Sequence, residues 1–387
     1  LKPIPILFLS DNPALPTGLA RITKDLAVHV ASLPEFRVGT LGRGGVSSSK
    51  LPFFNVAFDE AYQWGENYIE DVWNDFAGSQ EGVLMTVWDM SRLGWFARPR
   101  MGGRLQEFLE SKRFKKWAYV PVDHYGVAGK MTTECADTLR GFDRILAYTM
   151  FGKQVIEDTL GVEDVDWIPH GINGDVFQPR DKVPGRMALG VKPDELLIGC
   201  VMTNQERKDW GTAFAAMAQL KTTGRRFWVH TDVPIRAWNM YALAQDFGMG
   251  NSIVFTFNGE YSSEELSYLY SACDISFLPS LGEGFGYPII ESLACGVPVV
   301  HGNYGGGVEL IPERDWLVSS VSTRLDGPWN CVRPVWNPQD WAKKLEWALT
   351  QYGDGSYRDT CTNAVSHLTW KNLWPAAWKK WFLDGIA

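Results

Sequence analysis

Two carboxylates mark a glycine-bearing turn. Glu283 stands within Leu281-Gly282-Glu283-Gly284-Phe285-Gly286, and Glu291 follows eight positions on. An ionised carboxylate repels phosphate but accepts paired hydrogen bonds from vicinal hydroxyls, such as those of a ribose or hexose. Two adjacent cations, Arg207 and Lys208, stand where an apolar run gives way to a helical pattern. Beside a phosphate they would neutralise a diphosphate leaving group. His124, in Asp123-His124-Tyr125-Gly126, closes a further apolar run and is poised to hydrogen-bond a ligand. Each also has a plainer reading: Glu283 as a turn residue, Glu291 as a complement to a helix dipole, Arg207 and Lys208 as solvated charge, and His124 as tied to its own backbone.

The elements that must hold these residues follow from pattern and punctuation. An apolar strand over 275–278 ends at Pro279 and Ser280. Pro288 opens a helix whose apolar face, Ile289, Ile290, Leu293 and Ala294, recurs until Gly296-Val297-Pro298 stops it. Strand, glycine turn and helix together present unpaired backbone N–H groups to an anion, and glycines let the main chain approach closely. Gly284, Phe285, Gly286 and Tyr287 are therefore candidate main-chain contacts. The strand over 196–201 leads through Arg207 and Lys208 into a helix over 212–220. Strands over 227–231 and 253–257 follow, and Ser262-Ser263-Glu264-Glu265 caps the next helix.

The first half repeats the scheme. A strand over 4–9 runs through Ser10-Asp11-Asn12-Pro13 and Gly18 into a helix over 19–31, without the three-glycine dinucleotide fingerprint. Arg21 on that helix has a ligand-facing and a solvent-facing reading. A strand pair within 36–60 encloses an exposed loop over 42–50. Residues 59–76 alternate aromatic and acidic types. The strand over 82–88 ends at Asp89-Met90-Ser91-Arg92, on the edge where ligands of parallel sheets gather. Thr149 caps a helix that Gly161 ends. His170 and Asn173, in Pro169-His170-Gly171-Ile172-Asn173, are read as turn architecture first. Glu309 is a weaker site candidate. The fold class is α/β, with two nucleotide-fold domains.

The residues PS, EGFG, P, E, CG and PVV fall in order between Pro279 and Val300. This run resembles the donor-binding signature of the retaining glycosyltransferases of family 4 (glycosyl transferases group 1), which includes sucrose, trehalose and lipid-linked sugar transferases. The resemblance covers nearly the whole chain and is strongest at 165–177 and 196–310. It implies the GT-B fold: two Rossmann-like domains facing a cleft. Residues 1–172 would take the acceptor side, 173–364 would bind the donor, and 365–387 would form a helix packing back on the first domain. The implied reaction moves a hexose-type sugar from a UDP- or GDP-sugar to a hydroxyl of a glycan, lipid-linked or small-molecule acceptor. Retention at the anomeric carbon is implied, with the nucleotide sugar as donor substrate and neither metal nor further cofactor.

Carried over position by position, the resemblance places Glu283 at the hydroxyls of the transferred sugar and Glu291 at the ribose. It places Arg207 and Lys208 at the diphosphate, and Gly18 close to that diphosphate from the first domain. His124 falls near the reacting centre, with Asp123 as a weaker neighbour, and 258–261 beside the base. Two departures stand out. Thr17-Gly18 replaces a glycine pair, and Thr203 or Asn204 replaces an arginine just after the strand over 196–201, leaving less positive charge there. Two alternatives stay open: a nucleotide-sugar epimerase of the same fold, and a non-catalytic glycan-binding or scaffold protein.

The chain has 387 residues, enough for two cores, with 45% hydrophobic and 21% charged residues. A net charge of -8 and the lack of a basic stripe argue against nucleic acid as partner. The six cysteines are scattered and read as buried thiols of a reducing compartment. No apolar stretch reaches transmembrane length and no signal-peptide h-region opens the chain, so a cytoplasmic location is expected. The stretch 326–336 reads as an irregular excursion, and 338–349 as a helix. The Trp-rich tail, 365–382, reads as one amphipathic helix with three candidate roles: packing across the domain boundary, peripheral contact at the inner face of the membrane, or contact with a partner chain.

Overall fold

The computed structural model describes residues 2–48, 50–59, 63–98, 102–327, 329–353 and 355–386. Ser49 of the exposed loop, and 60–62 of the aromatic and acidic stretch, lie outside the described residues. The chain divides into two compact units, Leu1–His170 with Trp374–Ala387, and Gly171–Leu373.

Unit 1 is built on seven parallel strands: β1 (Ile4–Asp11), β2 (Phe36–Arg43), β3 (Phe54–Phe58), β4 (Gly82–Thr86), β5 (Phe114–Val120), β6 (Arg144–Ala147) and β7 (Asp166–Trp167). Their spatial order is β3-β2-β1-β4-β5-β6-β7. Unit 2 repeats the plan with β8 (Leu196–Val201), β9 (Arg225–Thr231), β10 (Ile253–Phe257), β11 (Ile275–Leu278), β12 (Val299–Gly302) and β13 (Leu317–Val318). Their order is β10-β9-β8-β11-β12-β13, with every pairing parallel. Central strands covered by helices on both faces read as continuous apolar runs, as β1, β8 and β11 do.

Each sheet reverses its strand order once, between β1 and β4 in unit 1 and between β8 and β11 in unit 2. Connections leave in opposite directions at such a point, so the loops after the two strands diverge and leave a crevice at their carboxyl ends. Asp11 and Trp88 border the first such point. Arg207, Lys208 and Glu283 border the second.

The helix boundaries follow local chemistry. Thr17 caps Gly18–Ala31 by accepting from the Ala20 amide, and Thr149 caps Met150–Leu160, which ends at Gly161 in the left-handed conformation. Ser262 and Glu265 form a full capping box on Ser263–Ala272. Eight tryptophans, Trp73, Trp88, Trp117, Trp210, Trp228, Trp316, Trp341 and Trp378, are fully buried, so much of the unusual Trp content is core. All six cysteines are buried and none is disulfide-bonded among the described residues.

Two sequence expectations need correction. The stretch 326–336 is no irregular excursion: β14 (Ser322–Asp326) and β15 (Cys331–Val335) pair antiparallel. Gly327 and Asn330, both with positive φ, turn the chain between them. The tail is helical without a break only from 370 to 384, with a widened turn inside that run, and is interrupted before it. Arg358–Val365, a tight turn at Ser366–Leu368, Trp370–Leu373, a widened π-turn at Trp374–Trp378 and Lys379–Asp384 follow one another. Pro375 falls in the widened turn, where its missing N–H and its ring cannot fit an α-helical ladder. The offset lets Trp378, Trp381 and Phe382 enter the core of unit 1. Phe382 lies 6.5 Å from Phe8, Trp381 lies 5.1 Å from Trp117, and Trp378 lies 4.8 Å from Tyr119, ring to ring. The Trp378 indole also donates to the Pro169 carbonyl at 2.9 Å. No helix among the described residues is long and apolar enough to cross a membrane.

Candidate active site

In unit 2 the loop after β8 is fixed before it reaches its charged residues. Asn204, fully buried, donates to the Val233 and Trp238 carbonyls at 3.0 and 2.8 Å and accepts from the Trp238 amide at 2.9 Å. Asn204, one of the two residues read as standing in place of an arginine, is thus committed to holding the neighbouring loop. Glu206–Lys208 form one tight turn, and Asp209, in the left-handed conformation, caps the helix Trp210–Gln219 through the Thr212 amide. The backbone is thereby aimed so that Arg207 and Lys208 lean towards the loop after β11.

Main-chain bonds lace the two loops together. The Leu281 amide donates to the Arg207 carbonyl at 2.7 Å, and Arg207 Nη1 donates to the Gly282 carbonyl at 2.6 Å. Lys208 Nζ pairs with Glu283 Oε1, and Arg207 Nη1 lies 3.5 Å from Glu283 Oε2. Lys208 and Glu283 are each only 5% exposed. Burial alone would raise the Glu283 carboxyl, but the Lys208 and Arg207 charges outweigh it and bring its pKa down to about 2. The group therefore carries two cations and one fixed carboxylate at the reversal point of the sheet.

Three further residues build this site. Arg333 of β15 is buried and donates to the Leu281 carbonyl at 3.3 Å, so the misread hairpin braces the Glu283 loop. His301, at the end of β12, is fully buried and donates through Nδ1 to the Leu278 carbonyl at 3.1 Å, while its Nε2 has no hydrogen-bond partner among the described residues. Burial, opposed by Glu283, brings its pKa down to about 4. A Cβ on Gly307 would meet His301 Nε2 at 2.6 Å, which explains a glycine there. Tyr270 donates to Glu291 Oε2 at 2.8 Å and stands edge-on to Trp228 at 5.3 Å. Glu291 is 8% exposed, one turn inside Tyr287–Ala294, and its orientation is set by that phenol. Only the helical spacing of Tyr270 within an apolar face could have pointed to it. Nothing in the sequence marked Arg333.

Among the main-chain candidates, Gly286 takes φ +114 before Pro288 opens the helix, and a Cβ there would strike Ile289 at 2.7 Å. Phe285 is buried, and Gly284 and Tyr287 are half-buried. Glu309 lies exposed on the turn Gly306–Leu310.

In unit 1, Gly18 opens its helix beside Thr17, whose hydroxyl donates to Asp11 Oδ2 at 2.8 Å. His124 Nδ1 lies 2.6 Å from Asp123 Oδ1, so Nδ1 carries a proton that it donates to the carboxylate, which fixes the ring's orientation. His170 is buried, with Nδ1 2.7 Å from the Tyr119 hydroxyl, and burial with the nearby Arg21 charge lowers its pKa well below the usual range. Asn173 accepts from the Asp175 amide at 3.0 Å, the bond of a turn former.

Two parallel α/β units, with paired cations and a carboxylate at a sheet reversal, have the GT-B fold of glycosyltransferases. Residues 189–365 match the family model described as Glycosyl transferases group 1. It is 26% identical over 269 residues to the D-inositol 3-phosphate glycosyltransferase of Acidothermus cellulolyticus, covering 66% of this chain and 58% of that protein. The Segniliparus rotundus protein of the same name is 30% identical over 188 residues, covering 47% and 38%. The chain thus spans about half the length of these relatives. Among solved structures, sucrose-phosphate synthase from Thermosynechococcus elongatus superposes with TM-score 0.75 at 17% identity, over 98% of this chain and 100% of that one. Anabaena HepE, solved with UDP-glucose, gives TM-score 0.67 at 15% identity, over 96% and 95%.

Proposed function

We propose that the protein is a retaining glycosyltransferase that moves a hexose-type sugar from a UDP- or GDP-sugar to a hydroxyl acceptor. The observation that carries this reading is the buried Lys208–Glu283 pair with Arg207 beside it at the reversal point of unit 2, within the segment that matches the family. The names of the relatives and the UDP-glucose bound to Anabaena HepE support a nucleotide sugar as donor.

In this reading Arg207 and Lys208 hold the diphosphate. The main chain over 284–287 and Gly18 approach it, Glu283 orients hydroxyls of the transferred sugar, and Glu291, held by Tyr270, takes the ribose hydroxyls. His124, its ring oriented by Asp123, hydrogen-bonds the reacting sugar. The acceptor oxygen forms its bond to the anomeric carbon on the face from which the sugar–phosphate bond breaks. The acceptor proton passes to the departing phosphate oxygen, whose charge the two cations stabilise. A glycosidase-like double displacement would need Glu283 as nucleophile, and a carboxylate clamped by Lys208 and Arg207 is better suited to orienting. For location, the aromatic face of the tail is buried in unit 1 and so is not offered to a bilayer. A cytoplasmic protein fits this reading.

The test is thermal stabilisation by UDP, GDP and ADP, alone and as sugar conjugates, followed by product analysis with the nucleotide sugar that stabilises best. One nucleotide should raise the melting temperature in wild type and fail to do so in Lys208→Ala. A folded protein that responds to none of them would overturn the reading and favour the scaffold alternative. Isomerised nucleotide sugar formed without acceptor would favour the epimerase.

A further inference from the structure

The reversal point of unit 1 carries a second group of charged residues that the donor reading does not use. Arg43, the last residue of β2, and Arg92, in the turn Met90–Arg92 after β4, each place the guanidinium carbon 4.4 Å from the ring centroid of Trp64. Trp64 stands edge-on to Trp88 at 5.4 Å, and the Trp88 indole donates to Asp11 Oδ1 at 3.0 Å. Four segments distant in sequence thus converge on one rim: the ends of β1 and β2, the loop before the helix Ile69–Ala77, and the turn after β4.

Both arginines are tethered through the same atom. Arg43 Nε donates to the Gln63 carbonyl at 3.2 Å, and Arg92 Nε lies 3.4 Å from Asp89 Oδ2. Guanidinium groups held at Nε and stacked on an aromatic face keep their two terminal amino groups in a fixed plane, the geometry that grips a carboxylate or phosphate in bidentate fashion. Arg92 and Asp89 are 35% and 45% exposed at the side chain, so the rim is open to a ligand. Asp11, bonded to Thr17 and Trp88, lies on the same rim as an acceptor for hydroxyls.

We propose that Arg43 and Arg92, braced by Trp64, form an anion subsite for an acceptor that is a phosphorylated or carboxylated sugar or polyol, with Asp11 accepting from its hydroxyls. The proposal rests on the transferase reading for the word acceptor, but the anion subsite stands on unit 1 alone.

The probe is glucose 6-phosphate, with glucose as the uncharged control, titrated calorimetrically into wild type, Arg43→Gln/Arg92→Gln and Lys208→Ala. Wild type should bind the phosphate and not glucose. The double arginine variant should weaken that binding about tenfold or more, as loss of charge-assisted bonds predicts, while Lys208→Ala leaves it unchanged. Binding that survives the arginine changes but falls in Lys208→Ala would place the anion in unit 2 and overturn the proposal, as would no binding to wild type. Nucleotide titrations of the same three proteins keep the two readings apart. Nucleotide binding should fall in Lys208→Ala and persist in the arginine variant, so failure of the donor reading leaves the glucose 6-phosphate result interpretable. Cosedimentation with phosphatidylcholine vesicles, with or without phosphatidylinositol, separates a lipid-borne headgroup from a soluble acceptor. Arginine-dependent binding to the phosphatidylinositol vesicles assigns the former, and its absence with glucose 6-phosphate bound assigns the latter.

Discussion

The reversal points of the two sheets solve opposite problems. In unit 2 the ion pair is enclosed: Lys208 and Glu283 pair out of water, the partly exposed Arg207 and the buried Arg333 bond to the main chain of the loop they face, and Tyr270 fixes Glu291. In unit 1 the charges lie at an open rim, stacked on Trp64 and tethered at one atom each. An enclosed group has its geometry fixed in advance and works in a low dielectric, which suits a diphosphate whose shape never changes. An open aromatic rim with guanidinium groups tolerates ligands of varied shape. The contrast fits a protein whose donor is constant and whose acceptor is particular to it.

The largest test of this contrast is Lys208→Ala. Loss of an electrostatic stabiliser of the leaving group should lower turnover by about 100- to 1,000-fold. The same change leaves the buried Glu283 charge with Arg207 alone at 3.5 Å, which should cost up to about 3–5 kcal/mol of stability. Lys208→Met/Glu283→Gln should recover most of the stability and none of the turnover. Denaturant unfolding together with steady-state rates checks both halves. If Lys208→Ala alone keeps full stability, the pair is not enclosed in solution and the contrast between the units fails.

His124→Ala comes next. Removing a hydrogen-bonding imidazole from the reacting sugar should lower kcat by about 100-fold while nucleotide binding, assigned to unit 2, stays unchanged. Asp123→Asn should reproduce part of that loss, since it weakens the hold on the ring's orientation without removing the ring. A parallel fall in nucleotide affinity would show that unit 1 is no separate partner in the chemistry.

Tyr270→Phe should act on the donor alone. It deletes one hydrogen bond to a charged group, so KM for the nucleotide sugar should rise about tenfold with kcat nearly unchanged. Equal loss in kcat would mean that Glu291 acts in the transition state and not at the ribose.

How far these sites could be read from the chain depends on whether the signal was local. Glu283, Gly286, Pro288 and Glu291 sit on one strand–turn–helix unit, and their spacing alone outlined the fold there. The central strands β1, β8 and β11 were legible because a strand buried on both faces is continuously apolar. Arg333 and Trp64 left no such mark, because each reaches its partner only through sheet order: Arg333 from a hairpin 52 positions beyond Leu281, Trp64 between strand ends at 43 and 92. Thr203 or Asn204 was read as replacing an arginine after β8, and the burial of Asn204 against 233–238 could not be foreseen from its neighbours. The tail misled for a different reason. Its apolar spacing is helical throughout, and Pro375 alone signals the widened turn that redirects Trp378 and Phe382.

The smallest expected effect tests the enclosure through pH. Glu283 is held down to about 2 in the folded protein, below the usual carboxylate range. Its contribution is therefore complete above the unfolded value and is lost as pH falls towards 2. His301 is also depressed, to about 4 from the usual 6.5, but a histidine reverses the charge argument. Between those values the unfolded chain binds a proton that the buried imidazole refuses, so stability falls as pH drops through that window. Unfolding near pH 5 should consume about one proton attributable to His301, and His301→Gln should abolish that uptake. Glucose 6-phosphate binding at the unit 1 rim uses neither Glu283 nor His301 and should persist at pH values where the acid limb of unit 2 has begun. Proton uptake unchanged in His301→Gln would show the imidazole to be hydrated and the unit 2 site more open than its packing indicates.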